Sequence, residues 1–252
     1  MRVWQPAPSS LLVAGFDDER MAAEFLRRTL GWGSTPPQIG DPIIQRLLNE
    51  APGLRPFAHG SLEQGLMTVI IGQGVTVQAG AVLEGRVAAI HSSGIEFKGR
   101  VLRPFPTAAQ IAETPVQRLR DTGLTWKRAE GMVAVARAAL DGRVPSDEDA
   151  RMNEAEAITR MRLLPMIGPW SANAALLWGL GADDAHVSGD VALLRAAKLV
   201  YDEPGLDLKS LDRLAEAWRP ARAWAARVLW LKLLGPAPTN GAMTTFWASS
   251  DK

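Results

Sequence analysis

One carboxylate is set up for chemistry by its neighbours. Asp190 follows Ser188-Gly189 and precedes the apolar run Val191, Leu193, Leu194 and Ala197, so its first expected role is to cap a helix N-terminus. At such a place the helix dipole favours the ionised side chain, the state needed to stabilise a developing sugar cation or to orient a water. Upstream, the stretch Leu164-Pro165-Met166-Ile167-Gly168-Pro169 joins two helices. Pro165 stops the first, Gly168 offers a residue tolerant of positive φ, and Pro169 opens the second at its favoured position. A joint of this kind turns free backbone N–H groups outward, where a phosphate oxygen can bind without a basic side chain. Taken alone, the same stretch also fits a plain turn between two helices of a bundle, and an N-cap aspartate is commonplace.

Composition confines where such chemistry can sit. The 252 residues hold 28 Lys+Arg and 27 Asp+Glu, so the net charge is +1 and a polyanionic partner would meet only a local basic footprint. At 47% hydrophobic and 22% charged residues, the chain can bury one large core or two smaller ones. It has no cysteine, which excludes disulfides, thiolate nucleophiles, thiolate zinc sites and cysteine-held iron–sulfur clusters. His59, His91 and His186 are scattered, without the spacing of a histidine metal cluster or a Ser-His-Asp triad. The short run Leu11 to Phe16 ends in Asp17, Asp18 and Glu19, too soon for a signal peptide, and no stretch reaches membrane-spanning length. A cytoplasmic protein with no membrane partner is expected.

Helical punctuation dominates beyond the first dozen residues. Asp17 and Asp18 can cap a helix through Met21, Phe25 and Leu26 that stops at Gly31, and residues 31–40 read as a linker. Asp41-Pro42 opens a short amphipathic helix that ends near Pro52-Gly53, and a longer one runs from about Leu62 to Ile71. Gly72-Gln73-Gly74 then reads as a tight joint before helical periodicity resumes from Val77 to Ile90; no Gly-Lys-Ser/Thr follows it, so it is not a phosphate loop. Residues 91–106 read as a loop with a short hairpin. Helices are expected from Thr114-Pro115 to Gly123, from Thr125 to Gly142 and from Asn153, where Glu156 completes a capping-box pattern and faces Arg160 four residues on. The fold expected is all-α. Residues 235–252 form a polar tail.

The ordered set of these pieces resembles the helix-hairpin-helix superfamily of DNA glycosylases and, within it, the DNA-3-methyladenine glycosylase II family. Four segments carry the resemblance. Leu164 to Ala172 is similar to the family's hairpin, and Val187-Ser188-Gly189-Asp190 to its loop ending in the essential aspartate. Ile70-Ile71-Gly72-Gln73 is similar to the joint that enters DNA near the lesion, and Trp218 to Trp230 to the late helix. The resemblance spans residues 41–234 and implies a two-lobed helix-hairpin-helix fold with the site in the cleft between lobes. Residues 1–40 would be an abridged, partly β N-terminal segment. It also implies that Asp190 is catalytic, that Trp170 and Trp230 sandwich a flipped base, and that Gln73, Gly74, Pro165, Ile167, Gly168 and Arg222 contact DNA. The partner would be double-stranded DNA carrying alkylated bases, the protein a monomer, and no cofactor is needed. No side chain suggests a metal site; the resemblance suggests one formed by hairpin carbonyls.

The implied chemistry is coherent. A purine alkylated at a ring nitrogen is already a cation and a good leaving group, so one carboxylate facing an oxocarbenium-like transition state suffices, and indoles favour a cationic base. Trp170 occupies the position of the Schiff-base lysine of the superfamily's bifunctional branch, which implies hydrolysis without strand cleavage. The sequence departs from the pattern at Met166, where the hairpin has its first glycine, and at Gly74, where a bulky wedge is expected, leaving Gln73, Val75 or another loop to fill the gap. It departs again at Ala174 and Val191, which replace tyrosines and imply a roomier pocket. Trp178, Trp218 and Trp224 read as core. Arg219, Arg222, Arg227 and Lys232, with Arg86, Lys98, Arg100 and Arg103, are candidates for the local basic footprint. Two other readings fit parts of this pattern: a non-catalytic helix-hairpin-helix protein that binds damaged or abasic DNA, and a helical small-molecule binder.

Overall fold

A computed structural model describes residues 2–7, 10–14, 18–97 and 100–234. The element order is β1 (Arg2–Ala7), β2 (Ser10–Ala14), α1 (Glu19–Leu30), α2 (Pro42–Glu50), α3 (Leu62–Gly72), α4 (Val77–Ala89), β3 (Ile95–Phe97), β4 (Arg100–Leu102), α5 (Ala108–Glu113), α6 (Val116–Arg120) and α7 (Trp126–Leu140). It continues with α8 (Asp147–Met152), α9 (Glu154–Met161), α10 (Pro169–Leu180), α11 (Val191–Tyr201), α12 (Leu208–Ala215), a 3-10 turn (Glu216–Trp218) and α13 (Arg222–Leu234). The fold is therefore all-helical apart from two antiparallel hairpins, β1–β2 and β3–β4. The first pairs Val3 with Val13 and Trp4 with Leu12, giving the N-terminal segment the partial β character expected of it. The expected tail, 235–252, lies outside the described residues.

Local capping explains most boundaries. Asp18, Asp41, Ser61, Thr76, Thr125, Asn153 and Asp190 each accept a backbone N–H from the first turn of the helix they precede. Three short helices, α5, α8 and α12, were not expected. In consequence Thr114 ends α5 and Pro115 becomes the N-cap of α6. Arg160 donates to the Gly142 carbonyl at 3.3 Å instead of meeting Glu156.

The packing follows from the helix pairs. α7 packs on α3, α5 and α6, and α10 on α3, α8 and α9, while α13 packs on α2 and α11 and α12 on α11. α3 and α10 are the helices buried on nearly every side, as their continuous apolar runs require. They cross in backbone contact. A Cβ on Gly65 would lie 2.6 Å from the Ala175 carbonyl oxygen and 2.7 Å from Gly179 Cα, and one on Gly179 would lie 2.7 Å from the Ser61 carbonyl oxygen. No single helix among the described residues is long and apolar enough to cross a membrane.

α11 and the 3-10 turn are tied to the start of α2 by polar groups. Asp41, buried at the N-terminus of α2, receives the Tyr201 hydroxyl at 2.6 Å, and that oxygen accepts the Trp218 indole N–H at 3.0 Å.

The crossing yields a paired prediction. Gly179→Ala should lower stability by about 1–3 kcal/mol, because its methyl meets backbone. Gly85→Ala, in the exposed middle of α4 with nothing within 4 Å of the new Cβ, should raise it by about 0.5–1 kcal/mol. Urea unfolding of both variants checks the contrast.

Candidate active site

Asp190 is positioned by a loop that is itself anchored on three sides. His186 Nε2 and Ser188 Oγ both reach the Asp212 carboxylate of α12 at 2.8 Å, and the His186 backbone N–H donates to Asn173 Oδ1 of α10 at 3.1 Å. Further back, Trp224 donates its indole N–H to Asp183 at 2.7 Å. Gly189 then takes φ +87°, a left-handed conformation suited to glycine, and delivers Asp190 to the head of α11. Asp190 Oδ1 accepts the Leu193 N–H at 2.6 Å and Oδ2 accepts the Trp170 indole N–H at 3.1 Å. The first bond matches the expected cap. The second gives Trp170 a task beyond that of a pocket aromatic, since it orients the carboxylate.

That carboxylate lines a cavity of about 320 Å³ where α3 and α4 meet α10, α11 and α13. Its walls include Phe57, Trp170, Trp178 and Trp230, so both expected aromatics are present. Trp178, expected in the core, lies here too, stacked on Trp230 with centroids 5.6 Å apart and planes 16° from parallel. The two positions from which a roomier pocket was expected lie away from it. Ala174 is fully buried and Val191 is 63% exposed, and neither lines the cavity.

The hairpin departs from expectation at its turn. Gly168 has φ −89° and is the extended N-cap of α10; Met166 takes the left-handed conformation, at φ +69°. Methionine therefore adopts a backbone conformation usually left to glycine, and Gly131 of α7 leaves space for its side chain, since a Cβ there would lie 2.6 Å from Met166 Cγ. Pro165 and Gly168 are exposed while Ile167 is buried, and α10 has no side-chain cap, so the N-terminal amides of its first turn are left for an outside partner. The Leu164 and Met166 carbonyls already accept hydrogen bonds within the chain, and a cation at the hairpin would have to share them. No group of three His, Cys, Asp or Glu side chains that could hold a metal stands together among the described residues.

Gln73 is turned inward. Its Nε2 donates to the Met166 carbonyl at 2.9 Å and to Ser171 Oγ at 3.0 Å, which ties the α3–α4 joint to the hairpin. Arg128 of α7 donates to the Gln73 carbonyl, and Gly74, exposed at φ +67°, lies beside it. Val75 lines the cavity.

The expected basic footprint on the late helix is largely spent inside the protein. Arg222 is held by Asp184 at 2.7 Å and Glu216 at 3.2 Å, which makes its role internal, and Arg219 shares both partners. Lys232 pairs with Glu50 at 3.3 Å. Arg227 is buried, donates to the Phe57 and Leu177 carbonyls, lies 4.8 Å from the Trp178 ring centre, and is held down to about 10 by burial.

No protein-family model matches the chain. It is 32% identical over 195 residues, 77% of its length, to DNA-3-methyladenine glycosylase 2 of Escherichia coli, of which it spans 66%. The chain belongs to the DNA-3-methyladenine glycosylase family. The same fold is seen in the 3-methyladenine DNA glycosylase of Archaeoglobus fulgidus, with TM-score 0.77 and 20% identity over 93% of this chain and 83% of that one. It recurs in the Schizosaccharomyces pombe 3-methyladenine DNA glycosylase solved with abasic DNA, with TM-score 0.64 and 21% identity over 76% of this chain and 91% of that one.

One residue of this family member's cavity was not anticipated. Glu84 of α4 lines it, and burial pushes its carboxyl up to about 7. The Thr68 hydroxyl beside it favours the ionised form, yet makes no hydrogen bond of ordinary geometry. The available signal was periodicity, because Glu84 shares a helix face with buried Gly80 and Val87. An acid raised from 4.5 to about 7 on folding contributes stability below pH 4.5 that is lost as pH rises through 7. Glu84→Gln should therefore gain roughly 2 kcal/mol over the parent above pH 8 and almost nothing near pH 4. Denaturant unfolding at the two pH values checks the sign.

Proposed function

We propose that the protein is a monofunctional DNA glycosylase that hydrolyses the N-glycosylic bond of alkylated purines, of the 3-methyladenine and 7-methylguanine type, in duplex DNA during base excision repair. The observation that carries this reading is Asp190, oriented by a helix amide and an indole N–H at the wall of a cavity lined by three tryptophans. In this scheme the damaged base leaves the stack and enters the cavity, at a cost of a few kcal/mol that is least at a damaged pair. Trp170 and Trp230 meet its faces, and Trp178 backs Trp230. The N-glycosylic bond breaks with its electron pair going to the cationic base, which departs neutral. Asp190 stabilises the sugar cation and orients the water that adds to it, and the water's proton passes to the carboxylate or to solvent. An abasic site remains.

Among the described residues no lysine lines the cavity, which supports hydrolysis over Schiff-base lyase chemistry. Pro165, Ile167 and Gly168 grip the phosphate backbone through the hairpin, and Gln73 and Gly74 approach the lesion. We assign the activity to residues 41–234 of a cytoplasmic monomer that acts without a cofactor, with 1–40 as an abridged N-terminal segment.

Asp190→Asn should lower release of free base from methylated duplex DNA by at least about 100-fold while leaving abasic-DNA binding nearly intact. Strands should break only after alkali. Equal loss of binding and release would overturn the assignment, and binding without base release by the unmutated protein would leave a non-catalytic damage-binding protein. Trp170→Phe keeps an aromatic, though smaller, ring but removes the N–H that holds Asp190, and should slow release about tenfold with little change in binding. Single-turnover rates and binding isotherms on the same duplex separate the two effects.

A further inference from the structure

The cavity contains a second carboxyl that base release, as proposed, does not use. Glu84 enters it from α4, among Val69 and Gly72 of α3, and makes no ion pair among the described residues. Beside it is Thr68, 8% exposed, whose buried hydroxyl has no hydrogen-bond partner of ordinary geometry. The Thr68 hydroxyl favours the ionised carboxyl, but buried polar groups are nearly always fully paired, so a carboxyl met by one hydroxyl and by no cation on a largely apolar wall keeps capacity for a ligand. Asp190 differs in this respect, since both its oxygens already accept hydrogen bonds from the protein.

We propose that Glu84 is the specificity-determining residue of the cavity, its carboxyl, with the Thr68 hydroxyl, meeting the edge of the flipped base and selecting cationic alkylated purines over neutral ones. The identity of the ligand rests on the glycosylase reading above; the preference for a planar cation does not. A carboxylate on an apolar wall is poorly solvated, and a cation entering the same dry space restores what water no longer supplies. A neutral base offers no such compensation. Stacking on indoles favours cations in the same direction but cannot by itself fix which edge of the base is read.

The preference has a pH sense. Because burial raises Glu84 to about 7, the charged form is present above that value and lost below it. Of the groups around it, Asp190 of α11 is the other ionisable side chain on the cavity wall. Arg227 of α13 sits against Trp178, bound to two carbonyls, and α3 and α10 contribute no titrating side chain to the wall.

The test uses the full chain and two probes that differ by one N7 methyl group and the charge it fixes, the cation 7,9-dimethyladeninium and neutral 9-methyladenine, titrated by quenching of tryptophan fluorescence. At about pH 8 the unmutated protein should bind the cation at least about tenfold more tightly than the neutral probe, and the preference should shrink at about pH 6. Glu84→Gln should abolish the preference at about pH 8 while binding the neutral probe as before. A preference that survives Glu84→Gln, equal weakening of both probes, or no preference in the unmutated protein overturns the proposal. Release of 7-methylguanine and of hypoxanthine from duplex DNA is scored on the same proteins. If Glu84→Gln erases the cation preference and no base is released, the glycosylase reading falls and the role of Glu84 in cation selection stands. If base release proceeds with the preference unmoved by Glu84→Gln, the opposite holds.

Discussion

The backbone contact between α3 and α10 at Gly65 and Gly179 is the constraint on which the site depends. Only glycine at both positions lets the helices approach this closely, and the approach sets where each of their ends must lie. The C-terminal end of α3 leads into the Gln73 joint, and the N-terminal end of α10 leads out of the hairpin. Because the crossing holds these ends together, one glutamine amide can span them, binding the Met166 carbonyl and Ser171. The α3–α4 joint and the hairpin, which resemblance alone suggested as two separate contacts with DNA, are therefore one connected surface.

A second consequence is the cavity beside that crossing. α10 presents Trp170 and Trp178 to it, α13 presents Trp230, and the loop from Asp183 to Asp190 closes it with the carboxylate. This loop would have many conformations if left to itself. Asp212, Asn173 and Trp224 remove that freedom through bonds from three different helices, so Asp190 needs no rearrangement to face a substrate. The aspartate is held by what surrounds its loop as much as by its own cap.

Charge is handled sparingly. A chain of net charge +1 cannot rely on a broad positive field, and the late-helix arginines are occupied by Asp184, Glu216 and backbone carbonyls. One feature that suits an anion without any basic side chain is the N-terminus of α10, which has no side-chain cap. Inside the cavity the balance is the reverse, with two carboxyls and aromatic faces and, among the described residues, no lysine or arginine on the wall.

The sequence by itself determined the helices and the order of the motifs. Caps such as Asp41, Asn153 and Asp190 bond to amides two or three residues away, so their effect is local and legible. It also determined that Asp190 stands at a helix head, while the placing of Trp170 and Trp230 in one site came only from the family resemblance. Tertiary structure decided the rest. Met166, not Gly168, takes the left-handed turn because Gly131 on a distant helix leaves it room. Arg222 is internal because Asp184 and Glu216 come to meet it, and Trp178 lines the cavity because Trp230 stacks on it. Glu84 was the hardest to see, since a glutamate on a helix reads as solvated until a second helix takes its water away. Pairing, packing and desolvation arise from residues far apart in the chain, and no spacing along the sequence encodes them directly.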